Sequence, residues 1–372
     1  MKKTLKIKAK NIKQKKNNTS KSKTVLVCIF LLFLASLIIC GGAYFLFDED
    51  ILAQKGLNFY QNGQYKYAEQ CYKFDTSIKK LFLITLKSPQ NKDFYSYFES
   101  REEMIKCLVE RGNISKAIFE YQKLLKEVKA NCPRDEEMSN LLNLQIANCY
   151  SVLGLYGKSL PVYQSLKNWY PQNLIQAYID TKDYEKAKSV LLSDEVREKI
   201  EDGEDSDAVA LGYSLLSYYK AIGRYDLATE NYTTEVPSFE TDMISALNLA
   251  DLNYIQKNYE KSRELYEELL SSASFSQNTR HKIQMRYAIL LNESGKSYQA
   301  EKAIEEIFKE QKELFDLSPE VICANYVASK IVSSKADKYA EIAQKKFDRL
   351  KLPAESYFKN DIDYFCKINT RL

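Results

Sequence analysis

A short pattern of small and aromatic residues recurs along most of this chain, and it constrains the fold more than any other feature. In the first copy, GLNFYQNGQYKYAEQCY, the small residues are Gly56, Gly63 and Ala68 and two aromatic residues are Tyr65 and Tyr72. Small residues let two helices approach closely, and the central glycine ends the first helix. The aromatic side chains fill the groove between neighbouring helix pairs. The pattern therefore predicts a helix–turn–helix hairpin.

Six further copies follow, with decreasing fidelity and at uneven intervals of 28 to 49 residues. In the fourth copy, Lys182 stands where glycine is usual, and an eighth copy near Ala343 is the weakest. The residues predicted to pack the hairpins in these copies are Gly112, Ala117, Gly154, Tyr156, Tyr163, Ala187, Gly223, Tyr225, Ala228, Tyr232, Tyr259, Tyr266 and Ala300.

The pattern resembles the tetratricopeptide repeat, a helix–turn–helix unit of about 34 residues, over about residues 49–350. The resemblance implies an all-α fold, a right-handed α-solenoid. It also implies that the first helix of each hairpin lines a concave surface, which binds extended or helical peptides of a partner protein. The partner-binding residues that the resemblance places there are Lys106, Asn148, Gln176, Tyr213, Ser217, Asp251 and Tyr254.

The charges at the start of the chain are strongly segregated. Residues 1–23 hold ten lysines and no acidic residue, and residues 24–47 hold no charge at all. At about 1.5 Å per residue, an apolar helix of this length crosses a hydrocarbon core of about 30 Å. The excess of lysines predicts a cytoplasmic N-terminus. We therefore expect a single-pass membrane protein with a transmembrane signal-anchor helix and extracytoplasmic repeats. The alternatives are cleavage at the small residues Gly41, Gly42 and Ala43, or lipidation at Cys40.

The remaining chain divides by composition. Residues 48–192 form a first repeat subarray and residues 208–352 a second one, with an acidic linker over 193–207 between them. Residues 353–372 are predicted to form an amphipathic helix that caps the array.

Composition excludes several classes of function. The chain has a formal charge of +4, but residues 48–372 carry 44 basic and 50 acidic residues, which favours neutral or basic partner proteins. The lysine tail has no aromatic residue to stack on a base, so no nucleic-acid partner is expected. His281 is the only histidine, expected at the surface, and we predict no metal and no cofactor. Two Gly-Lys-Ser triplets lack the first glycine of a phosphate-binding loop, so neither is predicted to bind a nucleotide. Since the sequence offers no other catalytic motif, we predict that the protein is not an enzyme.

These patterns together predict a membrane-tethered interaction scaffold or adaptor of the bacterial cell envelope, with an envelope or exported protein as its partner. Two alternatives remain open. The chain is an accessory or regulatory subunit of an envelope enzyme or secretion machinery, or it is an organelle-surface receptor whose repeats face the cytoplasm.

Overall fold

The computed structural model describes residues 51–85, 91–194, 196, 206–234, 243–271, 276–311 and 314–370, and within these ranges it contains helices and turns but no strand. The predicted all-α fold is thereby confirmed. The helices in the described ranges are α1 (Ile51–Gln61), α2 (Tyr65–Thr85), α3 (Asn91–Glu110), α4 (Ile114–Asn131), α5 (Glu136–Val152), α6 (Tyr156–Ser165), α7 (Pro171–Asp180), α8 (Tyr184–Leu191), α9 (Ser206–Ala221), α10 (Tyr225–Thr234), α11 (Met243–Ile255), α12 (Tyr259–Ser271), α13 (Gln277–Glu293), α14 (Ser297–Glu310), α15 (Pro319–Ile331), α16 (Ala336–Arg349) and α17 (Ile362–Asn369).

Consecutive helices pair into hairpins, from α1 with α2 to α15 with α16, and α17 follows the last pair. The described ranges thus hold eight hairpins. The eighth, α15 with α16, corresponds to the weakest copy of the sequence pattern.

The turns of the first seven hairpins share one backbone conformation. In the first, the Gly63 N–H donates to Tyr60 O (3.0 Å) and the Gln64 N–H to Phe59 O (2.8 Å), which is the Schellman arrangement. The residue at the Gly63 position needs a positive φ, which glycine adopts without strain. The seven residues with positive φ at this position are Gly63, Gly112, Gly154, Lys182, Gly223, Lys257 and Gly295.

A small residue lies where the two helices of each hairpin cross. At Gly56, an added Cβ would lie 2.8 Å from Tyr72 Cζ, so a larger residue would force the buried Tyr72 ring to shift. In the second helices this position is fully buried in all eight hairpins, by Ala68, Ala117, Ser159, Ala187, Ala228, Ser262, Ala300 and Ala343. Where the side chain is described, the residue four positions later is a buried large one: Tyr72, Tyr121, Tyr163, Leu191, Tyr266, Ile304 and Phe347.

Most of the predicted packing residues are buried, but four differ. Gly223 is exposed, and Tyr225 and Tyr259 are half-buried. The side chain of Tyr232 lies outside the described part of the chain.

The array curls back, so that the turns of its first hairpins contact its second half. The first turn contacts the start of α13, where the Gln277 N–H donates to Tyr65 Oη (3.1 Å). The second turn contacts the start of α15, because a Cβ at Gly112 would overlap Ser318. Beside it, the Phe315 N–H donates to Arg111 O (2.8 Å).

The third and fourth turns contact the segment that follows α16. The Tyr357 N–H donates to Gly154 O (2.9 Å), and the Phe358 ring lies directly against Gly154. The Tyr364 hydroxyl donates to Asp180 O at the end of α7. The C-terminal segment therefore lies on the turns of hairpins three and four rather than only at the end of the array.

The structure shortens the predicted C-terminal helix. Of residues 353–372, the helix covers only Ile362–Asn369, and residues 353–361 form turns. Asn360 has a φ of 61°, which an α-helix cannot contain. Most of the predicted linker over 193–207 lies outside the described residues, and α9 begins at Ser206.

The predicted localisation is contradicted. In the ranges that the structure describes, no helix is both long enough and apolar enough to cross a bilayer. Even α2, with 21 residues, carries charged side chains along its length, including Lys66, Asp75 and Lys80. The predicted basic tail (1–23) and transmembrane helix (24–47) lie outside the described residues. For the residues that the structure does describe, the prediction of a single-pass membrane protein is wrong.

We predict that Gly112→Ala destabilises the protein more than Gly223→Ala does. Both residues have φ near 80°, which costs alanine about 1 kcal/mol. A Cβ at Gly112 would also overlap Ser318, which adds about 1–3 kcal/mol, whereas a Cβ at Gly223 meets nothing within 4 Å. Urea-unfolding midpoints of the two variants measure the difference. Equal midpoints would show that the second turn does not contact α15.

Candidate functional site

A cavity of about 420 Å³ lies between α17 and the first helices of hairpins five to eight. The helices α9, α11, α13 and α15 supply one wall, α17 supplies the facing wall, and Tyr266 comes from α12. The lining residues are Lys220, Asp251, Tyr254, Ile255, Tyr266, Arg286, Ile289, Tyr326, Val327, Asp363, Cys366, Lys367, Ile368 and Thr370.

Asp251 lies at the charged centre of this cavity. Its carboxylate accepts a hydrogen bond from the Tyr266 hydroxyl (2.6 Å) and forms ion pairs with Lys220 (3.2 Å) and Arg286. Burial alone would raise the pKa of Asp251, but the two neighbouring cations outweigh burial and hold this pKa below its usual range. The group is therefore a fixed carboxylate shared by two cations from different hairpins.

Tyrosine hydroxyls and aliphatic side chains form the rest of the wall. The Tyr326 hydroxyl donates to Asp363 Oδ1 on α17 (2.7 Å). Burial and the neighbouring Glu293 raise the pKa of Tyr254, so its hydroxyl stays protonated. Ile289 and Val327 provide apolar surface beside these groups. A lining of this kind suits a peptide that offers both apolar and polar groups.

Two of the seven predicted partner-binding residues, Asp251 and Tyr254, line the cavity, and the other five do not. Lys106 instead forms ion pairs with Glu103 (2.9 Å) and Glu102 (3.2 Å) on its own helix. Tyr213 and Ser217 are half-buried on α9.

The predicted residues in hairpins three and four take part in contacts within the protein. Asn148 Oδ1 accepts from the Tyr163 hydroxyl (2.9 Å) and from Asn173 Nδ2 (3.2 Å). The Gln176 amide donates to Asp180 Oδ1 (2.9 Å). All seven predicted residues do lie on first helices, as the resemblance implies.

Sequence reasoning missed Lys220, Arg286 and the wall contributed by α17. The periodicity of α9 contained a signal for Lys220, because it lies three residues after Ser217 and so on the same helix face. The sequence predicted a C-terminal helix, but no local signal placed it in this cavity, since its position depends on how the whole array curls.

His281 is fully buried rather than at the surface as expected. Its Nε2 lies 3.3 Å from Glu310 Oε2, and burial lowers the pKa of the imidazole. Asn278, about one turn earlier on the same helix, donates to Glu110 Oε2 (2.8 Å), so this end of α13 lies against the first half of the array. Across the described ranges, no group of His, Cys, Asp and Glu side chains is arranged to hold a metal ion.

Comparison with known proteins finds similarity in solved structures, whereas no protein family and no curated protein matches the sequence. A tetratricopeptide repeat protein from Parabacteroides merdae is 17% identical with a TM-score of 0.37, covering 87% of this chain and 99% of that one. A signal-transduction ATPase of Pyrococcus horikoshii with a tetratricopeptide repeat sensor is 19% identical with a TM-score of 0.44, covering 81% and 52%. A Rap protein in complex with Competence and Sporulation Factor is 10% identical with a TM-score of 0.38, covering 87% and 100%.

The predicted resemblance to tetratricopeptide repeat proteins is confirmed at the level of the fold, which is helical with repeated helix pairs. At these low TM-scores, the assignment rests on the eight hairpins in the described part of the chain.

We predict that Asp251→Asn destabilises the protein by about 3 kcal/mol at pH 7, because it leaves two partly buried cations without their carboxylate. Since the folded-state pKa of Asp251 is lowered, its contribution is complete above the unfolded-state pKa of about 3.9 and is lost as the pH falls through the folded-state value. The difference between variant and wild type, measured by urea unfolding, should therefore shrink below about pH 4.

The control is Asp316→Asn, because the Asp316 carboxylate also pairs with two cations, Lys346 and Arg349, but is itself exposed. Its loss should cost less than about 1 kcal/mol. The account of Asp251 fails if its variant costs no more than this control, or if its cost is the same at pH 7 and pH 3.

Proposed function

We propose that this chain is a protein–protein interaction scaffold that binds a segment of a partner protein against the first helices of hairpins five to eight, on the cavity wall that faces α17. The observation that carries the proposal is the lining of this cavity. It combines a charged group shared across hairpins, Asp251 with Lys220 and Arg286, with tyrosine hydroxyls and aliphatic side chains on a concave surface. Peptide grooves need such a combination of polar orientation and apolar burial.

The state of the titratable groups favours binding over catalysis. A general base must take up a proton near the working pH, and the lowered pKa of Asp251 opposes this. Burial and nearby carboxylates raise the pKa values of Tyr254 and Tyr326, so both hydroxyls remain hydrogen-bond donors at neutral pH. We therefore propose a non-catalytic role for these side chains, which orient a bound segment.

The proposal is tested by placing a photo-reactive phenylalanine analogue at Ile289, inside the cavity, and for comparison at Tyr298, which is 81% exposed on α14. We expect irradiation in the native cells to cross-link one partner segment from position 289 and not from position 298. The identified segment is then synthesised, and its affinity for the purified chain is measured by calorimetry.

Tyr254→Ala should weaken the binding of that segment at least tenfold, because it removes a ring and a hydroxyl from the wall of the cavity. The matched control Tyr298→Ala should leave the affinity unchanged. Equal cross-linking at the two positions, or an affinity that Tyr254→Ala does not alter, would contradict the proposed function.

A further inference from the structure

The helix α17, which closes the cavity on one side, is short and follows a segment that contains no α-helix. It has eight residues, too few for a helix to persist alone in water, so its structure depends on the surface it lies against. The Asp361 carboxylate caps it by accepting from the Tyr364 N–H (2.8 Å). Residues 350–361 before it contain no α-helix.

One face of α17 is apolar and is buried against the array. Phe365 is fully buried and Cys366 nearly so. The Phe365 ring lies 5.2 Å from the Phe347 ring and 5.5 Å from the Phe358 ring, between centroids. Lys367 on the other side is exposed. The helix therefore lies in its groove as a bound amphipathic peptide does, with an aromatic anchor inside and charge outside.

Hydrogen bonds fix the orientation of α17 from both halves of the array. Tyr326 donates to the Asp363 carboxylate (2.7 Å), and Arg286 Nε donates to Thr370 O (3.2 Å), both from the second half. Asn369 Nδ2 donates to Val152 O at the end of α5 (3.3 Å), in the first half.

The groove has room that α17 does not fill. The cavity of about 420 Å³ remains beside it, and the aliphatic side chains of Ile255, Ile289 and Val327 face that space. A bound helix with larger apolar side chains on this flank would bury these residues in addition to the contacts that α17 makes.

We propose that α17 is an internal occupant of the partner's site, and that the partner segment is a short amphipathic helix that displaces it. This inference rests on the proposed function. The segment carries an aromatic residue in the place of Phe365. It also carries a carboxylate in the place of Asp363, which accepts a hydrogen bond from the Tyr326 hydroxyl. Its larger apolar flank fills the space beside Ile289.

Competition from α17 sets the affinity of the site. An attached segment has an effective concentration on the order of millimolar, so a free helix binds only when it makes more contacts than α17. The unfilled aliphatic wall supplies those contacts to a partner. Segments that reproduce α17 alone bind weakly, and they bind more tightly when the internal copy is weakened.

The test uses the full chain and a fluorescent synthetic peptide of residues 353–370 that carries Cys366→Ser to prevent disulfide formation. We expect the wild-type chain to bind the peptide weakly. The Asp361→Ala/Phe365→Ala double variant, which weakens internal α17, should bind it at least tenfold more tightly. The same peptide with Phe365→Ala should not bind, and Phe119→Ala, at an exposed phenylalanine outside the groove, should leave the affinity at the wild-type value.

Amide hydrogen exchange on the wild-type chain is independent of how well any variant folds. We expect residues 362–369 to exchange faster than α15, since α17 opens without global unfolding. Three results would each overturn the proposal. The first is protection of α17 equal to that of α15, and the second is failure of the double variant to bind the peptide. The third is a dimer in which the segment is exchanged between copies. If cross-linking from position 289 still captures a segment in that case, the proposed function stands and only displacement fails.

Discussion

The close crossing of the two helices in each hairpin is the constraint on which the rest of the structure depends. It requires a side chain no larger than alanine or serine at one fully buried position, which all eight hairpins provide, from Ala68 to Ala343. Because the helices cross closely there, the large residue four positions later, such as Tyr72 or Phe347, is buried against its neighbours. The repeat of this geometry brings the first helices side by side, and their exposed faces form one wall of the cavity.

Curling of the array turns a row of hairpins into a site with two walls. The turns of the first four hairpins meet α13, α15 and the C-terminal segment, and glycine at Gly112 and Gly154 leaves the space for these contacts. The C-terminal segment satisfies carbonyl groups at the ends of α5 and α7 that their helices leave unpaired. The same segment supplies one wall of the cavity in the second half, so the contacts that close the array also complete the cavity.

The sequence predicts the features that form within one hairpin, and it misses the contacts between hairpins that are distant along the chain. Gly63, Ala68 and Tyr72 lie within one hairpin, and their spacing alone specifies its turn and crossing; even Lys182, in the place of a glycine, adopts the expected positive φ. The resemblance to the repeat family placed Asp251 and Tyr254 on a first helix, and both residues line the cavity. The contacts of Tyr364 and Asn369 with the first half, and that of Asn278 with Glu110, join residues 168 to 217 positions apart, and they depend on small rotations summed over many hairpins.

The contact between Phe358 and Tyr156 gives the most direct test of this closure, because their rings lie edge to face with centroids 6.3 Å apart. A double-mutant cycle of Phe358→Ala and Tyr156→Ala, measured by urea unfolding, isolates the free energy of coupling between the two side chains. The account predicts a coupling of about 1 kcal/mol, the range of buried aromatic pairs. Strict additivity of the two substitutions would contradict it, because the C-terminal segment would then not lie against the third hairpin in solution.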